Sequence, residues 1–170
     1  MIRGALAALG FALAACSTVA EAPVAEMTDW RLVIHGGAGV ILRADMTPER
    51  EAAYEAALQE AMEAGADVLR GGGEAIDAVQ AAVLVMEDNP LFNAGYGAVF
   101  TADARHELDA AIMDGRDRNA GSVAGVTRVK NPILAARAVM DQSEHVMFAA
   151  GGADAFAEAQ GLEMVDNTYF

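Results

Sequence analysis

Along the body of the chain the spacing of apolar positions changes from block to block. Trp30 to His35 is a short, largely apolar run cut off by Gly36-Gly37-Ala38-Gly39, the pattern of a buried strand that delivers a glycine-rich turn. Thr47-Pro48 then supplies a cap and a first-turn proline, and Tyr54, Leu58, Ala61, Met62, Gly65 and Leu69 recur at helical spacing until Gly71-Gly72-Gly73 stops the pattern. A second helix is expected from Glu74 to about Glu87. It is apolar nearly all round, through Ile76, Val79, Ala82, Val83, Val85 and Met86, and so belongs to an interior layer. After a loop from Asp88 to Gly97, strands are expected at Ala98–Thr101, Leu108–Met113 and Ser122–Val129, then a helix from Pro132 to Met140. A strand at His145–Ala149 and a helix at Ala153–Gln160 complete the pattern. Helices and antiparallel-looking strands in blocks suggest layered α+β packing rather than a doubly wound parallel sheet.

The first residues follow a different logic. Arg3 precedes an apolar run from Ala5 to Ala15, too short to span a bilayer and flanked like a secretory signal. It ends Leu13-Ala14-Ala15-Cys16, which resembles a bacterial lipobox, so residues 1–15 read as a lipoprotein signal peptide and Cys16 as the lipidated residue. Residues 16–28 then form a tether and 29–170 the folded body. The expected location is exported and lipid-anchored, periplasmic or associated with a bacterial outer membrane. Cys16 is the only cysteine, which excludes an intramolecular disulfide and a cysteine-rich zinc site. With 11 basic against 25 acidic residues the formal charge is −14, and no basic stripe exists to meet a nucleic-acid backbone.

Three strings carry candidate chemistry. His35-Gly36-Gly37-Ala38-Gly39 would let another backbone approach closely, but it lacks the Gly-Lys-Ser/Thr or G-x-G-x-x-G spacing of a phosphate cradle. Asn89-Pro90-Leu91-Phe92-Asn93-Ala94-Gly95-Tyr96-Gly97 is a loop whose carbonyls turns, water or a bound cation could satisfy. Glu107 to Gly115 alternates, with Asp109 on one face and Leu108, Ala110 and Ile112 on the other. Its carboxylates suit either acid–base work or strand-end turns.

Together with three further strings, these have the order found in a known family. IHGGAG, NPLFNAGYGAVFT, ELDAAIMDG, GSVAGV, KNPILAARAVM and EHVMFAAGGADAFA, from Leu32 to about Phe170, resemble the plant-type asparaginase and isoaspartyl peptidase family. The resemblance implies an N-terminal nucleophile hydrolase with a four-layer αββα sandwich, made as one precursor that cuts itself into α and β subunits. It implies that this chain is the α portion, about half of the sandwich, partnered by the β subunit of the same precursor in a dimer of αβ units. The substrates it implies are L-asparagine and β-aspartyl dipeptides. The nucleophile would be a threonine opening a later Thr-Val-Gly or Thr-Ile-Gly string; Thr168, followed by Tyr169-Phe170, does not replace it. By the same resemblance Gly36 and Gly37 give backbone support beside the nucleophile, and Asn93 lines the site. The main-chain carbonyls of Met86, Glu87, Asn89, Phe92, Ala94 and Tyr96 would hold a structural sodium ion, and no catalytic cofactor is implied. Two other readings stay open: a glycosylasparaginase-type hydrolase, and a catalytically dead surface lipoprotein scaffold.

Overall fold

The computed structural model describes residues 30–36 and 43–170. The first long helix, α1 (Pro48–Arg70), begins where the sequence places it: the Thr47 hydroxyl accepts the Arg50 N–H at 3.2 Å and Pro48 occupies the first turn. Glu49 and Glu51 lie at its positive end. Arg70 closes the other end, paired with Glu63 at 2.5 Å and with Asp67. α2 (Ala75–Glu87) packs back along α1 through a seam of small residues, Ala57, Ala61, Gly65 and Ala66 against Ala78 and Ala82. Gly65 is needed there, because a Cβ on it would lie 2.9 Å from the Ala78 carbonyl oxygen. α2 is less enclosed than its all-round apolar pattern predicts: Val79 remains 42% exposed, since α1 covers one side and α3 makes only a slight contact on another.

β1 (Leu108–Met113) pairs antiparallel with β2 (Ala120–Val126), and β3 (Met147–Ala149) adds to β2 in parallel, giving the order β1-β2-β3. The β1–β2 register slips between Leu108 and Ala110. Gly125 takes φ +62° at this bulge and donates its N–H to Asp109 Oδ1 at 2.8 Å. α3 (Pro132–Gln142) and α4 (Ala150–Ala159) pack on the sheet. Leu108, Val123, Val126, Val129, Val139, Ala157 and Phe170 form one core cluster; Ile76, Ile112, Ile133 and Met140 form a second that reaches α2. The architecture is α+β, with four helices and one three-stranded sheet among the described residues.

The differences from expectation have local causes. Trp30–His35 alternates in exposure along its length but pairs with no strand among the described residues. Ala98–Thr101 forms no strand, because the Ala98 and Val99 N–H groups are taken by the Gly95 carbonyl and by Asn93 Oδ1. β2 stops at Val126 rather than Val129. The buried Asp154 of α4 captures the next N–H groups, accepting from Thr127 at 3.0 Å, Arg128 at 3.1 Å and Val129 at 3.3 Å, and from the Thr127 hydroxyl at 2.9 Å. β3 is shorter than His145–Ala149 and is parallel, and α4 starts at Ala150 rather than Ala153.

Candidate functional site

The loop after α2 is the meeting point of the candidate strings. Phe92 is buried, stands edge-on to Tyr54 of α1 at 6.2 Å, and fills the space over Gly36, where a Cβ would come within 2.7 Å of its ring. Gly36 thus brings the first string onto the second. Gly37 and Cys16 lie outside the described residues; His35 is exposed.

The loop is wound tightly on its own polar groups. Asn89 Oδ1 accepts the Leu91 N–H at 3.0 Å, the Asn89 carbonyl accepts from Phe92 at 3.2 Å, and the Ala94 carbonyl accepts from Gly97 at 3.1 Å. Asn93 Oδ1 accepts the Val99 N–H at 3.0 Å, which pins the Asn93 side chain across the loop mouth and leaves its amide nitrogen free of that bond. Gly95 sits at φ +49°; a Cβ there would collide with the Glu87 carbonyl oxygen and approach its carbonyl carbon to 2.9 Å. A Cβ on Gly97 would likewise strike the Phe92 carbonyl oxygen, with that of Pro90 at 2.9 Å. The glycines therefore make room for inward-turned carbonyls of Glu87, Pro90 and Phe92. Of the expected sodium ligands Met86, Glu87, Asn89, Phe92, Ala94 and Tyr96, three also accept backbone N–H groups, Met86 at 3.3 Å, Asn89 and Ala94 as above. Each carbonyl has a second lone pair. Among the described residues no cluster of three or more His, Cys, Asp or Glu side chains is arranged to hold a metal. A backbone cradle of this kind fits a hard cation held by main-chain oxygens.

A cavity of about 230 Å³ lies between this loop and the start of β1, lined among others by Glu87, Asn93, Gly95, Glu107, Asp109 and Pro132. Glu87 is 4% exposed; its Oε1 accepts the Ile133 N–H at 2.9 Å, and Oε2 has no hydrogen-bond partner. Burial pushes its carboxyl up to about 8, against the opposing pull of the Ile133 N–H. Two carboxylates of the third string, Asp109 and Asp114, have structural work. Asp109 holds the Gly125 bulge, and Asp114 closes a turn while sharing Arg116 with Glu74, whose contacts to Arg116 are 2.5 and 3.0 Å. Arg116 holds the Asp114 carboxyl below its usual range.

A family model described as Asparaginase matches residues 28–170. The chain belongs to this asparaginase family. It is 52% identical over 139 residues to the isoaspartyl peptidase of Escherichia coli K12, covering 82% of this chain and 43% of that protein. It is 42% identical over 144 residues to the probable isoaspartyl peptidase/L-asparaginase 2 of Arabidopsis thaliana, covering 85% and 44%. To the plant-type L-asparaginase of Pyrococcus furiosus it is 45% identical over 137 residues, covering 81% and 43%. The chain thus spans less than half the length of these asparaginase-family relatives.

Within this asparaginase-family segment, the expected residues Asn93, Gly36 and the loop carbonyls come together around one loop, and Glu107 and Asp109 of the third string line the same cavity as Asn93. Three polar residues went unnoticed in the sequence. Asp154 ties α4 to the end of β2. Asn167 bonds the backbone at His106 and Thr127. His106 is buried beside Phe100 with its Nδ1 unpartnered. The signal that could have found Asp154 was an acidic residue in the middle of an alanine-rich helix; for the other two the partners are too distant in sequence to suggest themselves.

Proposed function

We propose that this chain is the α portion of a self-cleaving, threonine-nucleophile amidohydrolase that acts on L-asparagine and β-aspartyl dipeptides. The observation that carries the reading is the seating of Gly36 on Phe92, which joins two family strings at one loop with Asn93 at its mouth. The names of the relatives, isoaspartyl peptidase and L-asparaginase, favour it over a glycosylasparaginase. The attacking threonine belongs to a later part of the precursor, which becomes the β subunit.

Self-cleavage follows from ordinary acyl chemistry. The threonine hydroxyl attacks the preceding carbonyl, the C–N bond breaks as an ester forms, and water hydrolyses the ester to a new C-terminal carboxylate. This leaves threonine with its hydroxyl restored and a free α-amine. An α-amine ordinarily titrates at roughly 8, so it serves as base for its own hydroxyl and no histidine is required. Attack on the substrate's side-chain amide then expels ammonia or the second amino acid, and water resolves the acyl-enzyme. Asn93, pinned through its oxygen, is suited to present its amide N–H₂ to the site. A sodium ion, held by the carbonyls of Met86, Glu87, Asn89, Phe92, Ala94 and Tyr96, would fix the loop by tying its main-chain oxygens together.

The outer side of the sheet supports the four-layer sandwich. Met113 and Met147 are 61% and 53% exposed on it, beside the exposed Ala111 and Ala149, an apolar face suited to a second sheet from the β subunit. A dimer of αβ units completes the assembly. The anchor belongs to the same proposal: the protein is exported and held at a bacterial membrane through acyl chains on Cys16. Cys16→Ala should abolish labelling by radioactive palmitate, and unchanged labelling would remove the anchor. For the enzyme reading, the intact mass of the full-length protein is expected to resolve into two fragments on incubation, the second beginning with threonine. A single stable mass would overturn it.

A further inference from the structure

The last residues of the chain are fastened more heavily than a segment leading into a linker requires. Lys130 donates to the Glu163 carbonyl at 3.0 Å, Val165 to that of Arg128 at 2.7 Å, and Val129 and Met164 form an antiparallel bridge. Asp166 then closes the turn Asn167–Tyr169, accepting from the Thr168 N–H at 2.9 Å and from its hydroxyl at 2.7 Å. Asn167 spends its whole amide on this junction: Nδ2 donates to the carbonyls of His106 at 2.8 Å and Thr127 at 3.0 Å, and Oδ1 accepts the His106 N–H at 3.0 Å. Beyond it Tyr169 leans on Tyr96 of the site loop at 5.2 Å, and Phe170 is buried with Leu108, Val126 and Val129.

These contacts have one geometric result. Asn167 joins the exit of β2, the segment that returns from the site loop to β1, and the direction of the backbone at Phe170, so that this direction is fixed relative to Asn93. We infer that Asn167 is a positioning residue for self-cleavage: it aims the polypeptide leading on from Phe170 so that the scissile carbonyl reaches the threonine hydroxyl. The inference rests on the self-cleavage reading above. The physical need is orientational. Attack requires the reacting atoms about 3–3.5 Å apart, whereas lengthening a flexible tether by a few residues costs little closure entropy. Releasing the clamp therefore acts chiefly through lost aim. Once the bond is cut, the clamp holds only a chain end, and turnover of substrate no longer depends on it.

The test uses the full-length precursor, with self-cleavage followed by gel from the moment of synthesis. Asn167→Ala removes all three bonds, and Asn167→Asp keeps the acceptor for His106 but loses both donations. Thr168→Ala removes only the hydroxyl bond inside the turn. Cleavage is expected to slow by about tenfold or more in Asn167→Ala and by less in Asn167→Asp, with Thr168→Ala near wild type. After cleavage has run to completion, kcat and KM of Asn167→Ala per cleaved molecule are expected to match wild type. Wild-type cleavage rates in Asn167→Ala, or an equal loss of cleavage and kcat, would overturn the inference. A wild-type precursor that does not cleave would instead overturn the self-cleavage reading on which it rests.

Discussion

Replacing Gly95 by alanine separates a special backbone from an ordinary loop glycine. At φ +49° a side chain costs roughly 1–2 kcal/mol in backbone strain. The new Cβ would also collide with the Glu87 carbonyl oxygen and come within 2.9 Å of its carbonyl carbon, main-chain atoms at the end of α2 that cannot rotate aside. Forcing extra volume into a packed site typically costs a further 1–3 kcal/mol or so. The total expected for Gly95→Ala is about 3 kcal/mol, and Gly95→Val should be worse because a β-branched residue is further restricted. Gly72 is the internal control. It has φ +78° with nothing within 4 Å of the place a Cβ would take, so Gly72→Ala carries strain alone, about 1 kcal/mol. Urea midpoints of the two variants of the full-length protein, in sodium and in its absence, measure the difference. If the loop is a cation cradle, Gly95→Ala also loses whatever stabilisation sodium gives the parent. Equal midpoints for the two alanine variants would refute the crowding on which the cradle rests.

Asn93→Ala is expected to fold and self-cleave but to turn over a β-aspartyl dipeptide at least about tenfold more slowly, as for loss of one oriented polar contact; full activity would remove Asn93 from the site. Asn89→Ala should be milder for turnover, since the proposed ligand there is the carbonyl and the side chain serves only the Leu91 N–H. Glu87→Gln gives a pH test in sodium-free buffer. With the folded carboxyl near 8 and the unfolded one at its ordinary 4.5, the folded state holds the extra proton between those limits. Stability should therefore fall as pH rises through that window, by up to about 1.4 kcal/mol per unit, and Gln should flatten the profile. An unchanged slope in the variant would place the titration elsewhere.

The helices were legible where local chemistry decides them. Thr47-Pro48 marks the start of α1 and the glycine triplet its end, and both signals lie within a few residues of their effect. The strands were less so. Trp30–His35 and Ala98–Thr101 have strand-like composition, but pairing is a long-range property, and neither has a strand partner among the described residues. The end of β2 was set by Asp154, about 26 residues further on, which no local pattern reveals. For the site, the order of six strings pointed to the family and through it to the loop after α2, and the structure adds how the first string reaches that loop, Gly36 under Phe92, and why the loop needs Gly95 and Gly97, which face carbonyls. The clamp at Asn167 was invisible because its partner His106 lies 61 residues earlier.

The central claim is that this chain is one part of a divided amidohydrolase whose nucleophile lies in the other. Release of aspartate from a β-aspartyl dipeptide, assayed side by side for the full-length protein and for the 170-residue chain alone, tests it most directly. Turnover by the full-length protein and none by the isolated chain is the predicted result. Aspartate release by the isolated chain, or its absence from a self-cleaved full-length protein, would contradict it.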